Sequence, residues 1–136
     1  MHDRIFLHVI WTTRNRAPLI DLARARILAD QLPVIARQER TRILAMGIVS
    51  THLHLLLRVH PTTSLPRLLQ RMKGGTAHHI NARPGDRAHP LRWAKGSAVI
   101  SVSPRTLEQA VTYITSQHTH HPDQAIDGWP TQGPRG

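Results

Sequence analysis

The 136 residues suffice for one compact domain, and an apolar share of 40% supports a packed core rather than a disordered chain. With no cysteine, a disulfide framework, a thiolate zinc site and a thiol nucleophile are all excluded. Eighteen Lys plus Arg, sixteen of them Arg, against 8 Asp plus Glu give a formal charge of +10, which calls for a polyanionic partner.

Ile5 to Thr13 is rich in β-formers, with Ile5, Leu7, Val9 and Trp11 on one face and Phe6, His8 and Ile10 on the other. Thr13, Arg14, Asn15, Arg16 and then Pro18 end this first strand. From Ile20 to Arg40 the apolar spacing turns helical, and Pro33 is expected to kink or split the helix, because its ring clashes with the preceding turn and it lacks an N–H. Arg42 to Val49 returns to a strand. His52–His60 then alternates cleanly: Leu53, Leu55, Leu57 and Val59 share one face, and His52, His54, Leu56, Arg58 and His60 the other. The short link between these two strands suits an antiparallel hairpin. After Pro61 and the cap candidates Thr62, Thr63 and Ser64, a basic helix is expected over about Leu65 to Ala82, bending at Gly74-Gly75. Residues 84–92 read as loop and Ala98 to Ser103 as a short strand. Ser103 caps a last helix, with Pro104 at its first position, that is expected to run to about His120.

The order β-α-β-β-α-β-α specifies an α+β class: a ferredoxin-like (RRM-like) antiparallel sheet with helices on one face, plus one extra C-terminal helix. Residues 1–121 form the expected domain. Residues 122–136, rich in Pro, Gly and Gln, form an expected irregular tail. No apolar run approaches the roughly 20 residues of a membrane span, and the N-terminus reads as a strand rather than a signal peptide. A cytoplasmic protein without a membrane partner is expected.

Arginine forks onto phosphate oxygens in a way lysine cannot, so the surplus favours nucleic acid. Aromatic residues are scarce, which leaves a base-stacking platform poorly supplied. Arg14 and Arg16 after the first strand, and Arg67, Arg71 and Lys73 on the second helix, are the DNA-contact candidates; each also reads as solvated surface. His52-Leu53-His54 puts two imidazoles on one strand face, roughly 6.5–7 Å apart along the chain. They can converge on a divalent ion, or be two polar side chains on a wet sheet face. Tyr113, the sole tyrosine, and Gln117 lie one helical turn apart on one face, with His120 extending it. A phenol accepts a phosphoryl group once a metal or neighbouring cation lowers the cost of its anion.

In order and spacing, HVIWTTRNRAPLI, THLHLLLRVHP, LPRLLQRMKGG, LRWAKGSAVISVS and YITSQ resemble the single-tyrosine HUH transposases of simple insertion sequences (IS200-like), HUH meaning His, hydrophobic, His. The resemblance covers most of the chain. It implies a ferredoxin-like sheet with a mobile C-terminal helix carrying the nucleophile. Tyr113 matches that nucleophile, His52 and His54 match the metal-binding histidines, and Gln117 matches the glutamine completing the metal site. It further implies Mg2+ or Mn2+ as cofactor, single-stranded DNA with hairpin ends as substrate, and a homodimer. DNA transposition and recombination would proceed through a 5′-phosphotyrosine. Where the family commonly has an acidic or amide residue before the first histidine, this chain has Thr51. The alternative is a domesticated, non-catalytic nucleic-acid-binding protein of the same fold. A metallohydrolase using His52, His54 and His120 on a small substrate is a further rival, against which the extended basic surface argues.

Overall fold

Residues 5–129 are described by the structure, a computed structural model; residues 1–4 of the expected domain and 130–136 of the expected tail lie outside the described residues. Period-two alternation builds the sheet. Strands β1 (Ile5–Thr12), β2 (Thr41–Ile48), β3 (His52–Val59) and β4 (Ala98–Val102) pair antiparallel throughout, in the spatial order β2-β3-β1-β4. Val9, Trp11, Leu53, Leu55, Leu57 and Val59 line one face. Helices α1 (Leu22–Gln38) and α2 (Leu65–Asn81) cover it with Leu28, Leu32, Ala36, Leu68, Met72 and Ile80. Asp21 caps α1 and Ser64 caps α2, each side chain accepting a hydrogen bond from a backbone N–H three residues on. The architecture is the ferredoxin-like α+β fold.

The opposite face, bearing His52, His54 and Leu56, is not wet. Helix α3 (Leu107–Thr115) lies across it, and Ile114 packs against Ala45 and Leu56. Strand β3 is therefore buried on both faces from His52 through Leu57.

Tertiary packing sets the course of three helices. Helix α1 runs unbroken through Pro33. The roughly 3 kcal/mol that an interior proline costs is outweighed by the stripe of Leu28, Leu32 and Ala36 locked against the sheet. Helix α2 continues through Gly74-Gly75. A Cβ at Gly75 would lie 3.3 Å from Ile35 Cδ1, so glycine lets the two helices approach closely. The last helix is not continuous to His120. Ser103 caps a 3-10 turn (Pro104–Thr106), α3 follows, and a break at Ser116 precedes a short α4 (Gln117–His120). The Thr115 hydroxyl donates back to the Val111 carbonyl at 2.8 Å, a contact that bends helices. Beyond it, Pro122–Gln124 forms a 3-10 turn, and Ile126 and Trp129 pack against the main core.

Candidate active site

Register decides what stands beside the two histidines. His52 faces Thr12 and His54 faces Ile10 across the β1–β3 ladder, so His8 on β1 is the diagonal neighbour of His54. Its Nε2 lies 2.8 Å from His54 Nδ1. On the other side His54 faces Gly47 of β2. The missing side chain there admits the end of α3: a Cβ would meet the Ile114 carbonyl oxygen at 1.9 Å and Gln117 Cγ at 3.0 Å.

Through that notch α3 and α4 bring their chemistry to the imidazoles. The Tyr113 ring centroid lies 5.9 Å from His54, 6.1 Å from His8 and 4.6 Å from His120. The His52 and His54 rings are 5.2 Å apart, and His121 sits 4.9 Å from His52. Gln117 is fully buried; its Nε2 donates to the Tyr113 carbonyl at 3.0 Å. Tyr113 stays 43% exposed, so its phenol remains open to a large substrate. The structure thus unites His52, His54, Tyr113 and Gln117 within one chain, despite the helix break at Ser116. Sequence reasoning missed His8, whose only signal was its place on the same strand face as Ile10.

Burial holds His54 far below the usual imidazole range, down to about 3, helped by the neighbouring His52, His8, His121 and His120. Burial also lowers His52, with His121 and Arg16 adding to the effect and the nearby Gln117 amide opposing it. His8 is lowered by burial alone. At neutral pH the histidine pair is uncharged, the form in which imidazole ligates metals.

The donor set suits a divalent ion. Among the described residues, no three His, Cys, Asp or Glu side chains gather as a metal-holding group; an amide oxygen is a further donor that a hard divalent ion accepts. Gln117 offers one: its Oε1 is buried without a hydrogen-bond partner among the described residues, and its amide lies close to His52. An orphaned buried acceptor costs about 1–3 kcal/mol, which a cation would recover.

The cationic candidates divide. Arg14 and Arg16 are exposed on the 3-10 turn that follows β1, at the His52 end of the sheet, and the charge of Arg16 reaches His52. Arg67 and Arg71 lie on the helix-covered side and pair with Glu39. Lys73 donates to the Ala94 and Gly96 carbonyls at 2.8 and 2.6 Å, anchoring the approach to β4. Sequence reasoning missed a cleft of about 520 Å³ at the far end of β2 and β3, lined among the described residues by Arg37, Arg40, Arg42, Arg58 and His60 and by no carboxylate. Arg42 and Arg58 stand directly opposite each other in the ladder.

Residues 2–117 match the family described as Transposase IS200 like. The ISDra2 transposase TnpA of Deinococcus radiodurans is 29% identical over 115 residues, 82% of each chain. A crystal structure of a transposase from Deinococcus radiodurans R1 superposes with a TM-score of 0.68 at 26% identity, covering 93% of this chain and 95% of that one. A REP-associated tyrosine transposase bound to a REP hairpin shares the fold, with a TM-score of 0.70 at 12% identity over 99% of this chain and 88% of the other.

Proposed function

The chain belongs to the IS200-like transposases, a family of DNA-cleaving enzymes, and on that premise we propose that it cleaves and rejoins single-stranded DNA at hairpin-marked ends through Tyr113. The observation that carries this reading is the meeting, in one chain, of an exposed phenol, two neutral imidazoles and an unpartnered buried amide oxygen.

His52, His54 and Gln117 would hold Mg2+ or Mn2+. Bound there, the ion would polarise the scissile phosphate and offset the charge developing on it. The protein's own part is positioning. Tyr113 Oη attacks phosphorus, a Tyr–O–P bond forms, and the bond from phosphorus to the 3′ oxygen breaks. The phenol loses a proton and the departing oxygen gains one, leaving a 5′-phosphotyrosine and a free 3′-OH. His120 has the imidazole ring nearest the phenol ring. Attack by a different 3′-OH reverses the step and joins new strands without another energy source.

Arg14 and Arg16 would clamp phosphates beside His52. Arg67 and Arg71 would offer their remaining donors to DNA on the helical side, and Lys73 would support the loop before β4. A homodimer through β4 also fits, since this edge strand exposes Val99 and Ile100. No helix among the described residues is long and apolar enough to cross a membrane; a cytoplasmic location goes with the substrate proposed.

The test is incubation with labelled single-stranded hairpin DNA and Mn2+, resolved on a denaturing gel. The unaltered protein should give a covalent band. Tyr113→Phe should bind DNA undiminished and give none, and His52→Ala or His54→Ala should abolish the band while sparing most salt-sensitive binding. An undiminished band from Tyr113→Phe refutes the assignment. Binding with no band from the unaltered protein favours the non-catalytic alternative.

A further inference from the structure

We propose that Thr51 and Gln124 are positioning residues that hold the proton of His52 on Nδ1 and so present its Nε2 as a bare donor to the site; the inference rests on the metal-dependent reading above. The Thr51 hydroxyl has one hydrogen. It donates that hydrogen to Gln124 Oε1 at 2.8 Å. Toward His52 Nδ1, 3.0 Å away, it therefore offers a lone pair, which only an Nδ1–H can use. A neutral imidazole carries one N–H, so Nε2 is left unprotonated, the state a metal ion requires.

Gln124 is what makes this contact directional. A threonine hydroxyl alone donates or accepts equally well, and would stabilise either ring tautomer. Gln124 lies 73 residues downstream on the 3-10 turn Pro122–Gln124, and its backbone holds it over the β2–β3 turn. Its carbonyl accepts from the Ser50 N–H at 2.8 Å, and its own N–H donates to His121 at 2.9 Å. The segment after α4 thereby acts on the hairpin that carries both histidines.

The experiment reads the ring nitrogens of the 15N-labelled full chain, without metal or DNA, near neutral pH, alongside a Mn2+ titration followed by electron paramagnetic resonance. His52 of the unaltered protein should show the Nδ1–H form. Gln124→Glu keeps an acceptor oxygen and should preserve it. Gln124→Leu frees the hydroxyl either to donate to Nδ1 or to accept from it and should give a mixture of the two tautomers, as should Thr51→Val. In these last two, Mn2+ affinity should fall by about 10–100-fold. Gln124 is partly exposed, so its variants keep the fold even where Thr51→Val, at a buried site, does not. An Nε2–H form in the unaltered protein, or one tautomer unchanged through Gln124→Leu and Thr51→Val, overturns the proposal. Because the tautomer is read without DNA, a missing covalent band overturns the cleavage reading separately.

Discussion

His54 stays neutral in the folded chain down to about pH 3, whereas in the unfolded chain it takes up a proton near the ordinary 6.5. Its folded value is depressed, so the stability tied to its neutrality is fully present above 6.5. That stability is lost progressively as the pH falls from there toward 3, since only the unfolded state gains the proton. His52 and His8 act in the same direction. Denaturant titrations at falling pH should therefore show declining stability, and His54→Gln should flatten the decline; an equal slope in that variant counts against burial of His54 as the cause. Both histidines and the Tyr113–Gln117 pair were visible in the sequence because strand alternation and helical spacing are local. His8 was not, since its nearness to His54 depends on the β1–β3 register, which forty-odd intervening residues conceal.

At the level of elements, the decisive contact is α3 against β2. Gly47 is required not for its dihedrals but for the space it leaves, because an added methyl would collide with the backbone at Ile114. Gly47→Ala should push the end of α3, with Tyr113 and Gln117, off the histidines. A displacement of this kind is worth on the order of 10²-fold in rate. Covalent-adduct kinetics check this: a rate equal to that of the unaltered protein would show that α3 does not need this seat. The same logic explains why α1 and α2 continue through Pro33 and Gly74-Gly75. Propensity penalises each residue within its own helix, but α1 is held by its buried stripe and Gly75 by its approach to Ile35.

Across the whole molecule, charge is spent unevenly. Like charges directly opposite in an antiparallel ladder destabilise it, yet Arg42 faces Arg58 at a cleft that no carboxylate lines among the described residues. A nucleic-acid backbone bound there would relieve that repulsion. Arg42→Gln with Arg58→Gln should lower the salt slope of single-strand binding by about 1.4, at roughly 0.7 per phosphate lost. The same pair should raise the melting temperature slightly and leave the rate of the DNA-saturated protein unchanged. A salt slope that does not move would remove this cleft from the DNA surface.

The order of strands and helices, the buried apolar faces and the residue types gathered at the candidate site were all legible along the chain, because each depends on neighbours within a few positions. Strand register, the seat beneath α3, the Arg42–Arg58 cleft and the reach of Gln124 to Thr51 were settled only by packing. They join segments far apart in sequence, and local spacing holds no record of which distant side chain will fill the space beside a given one.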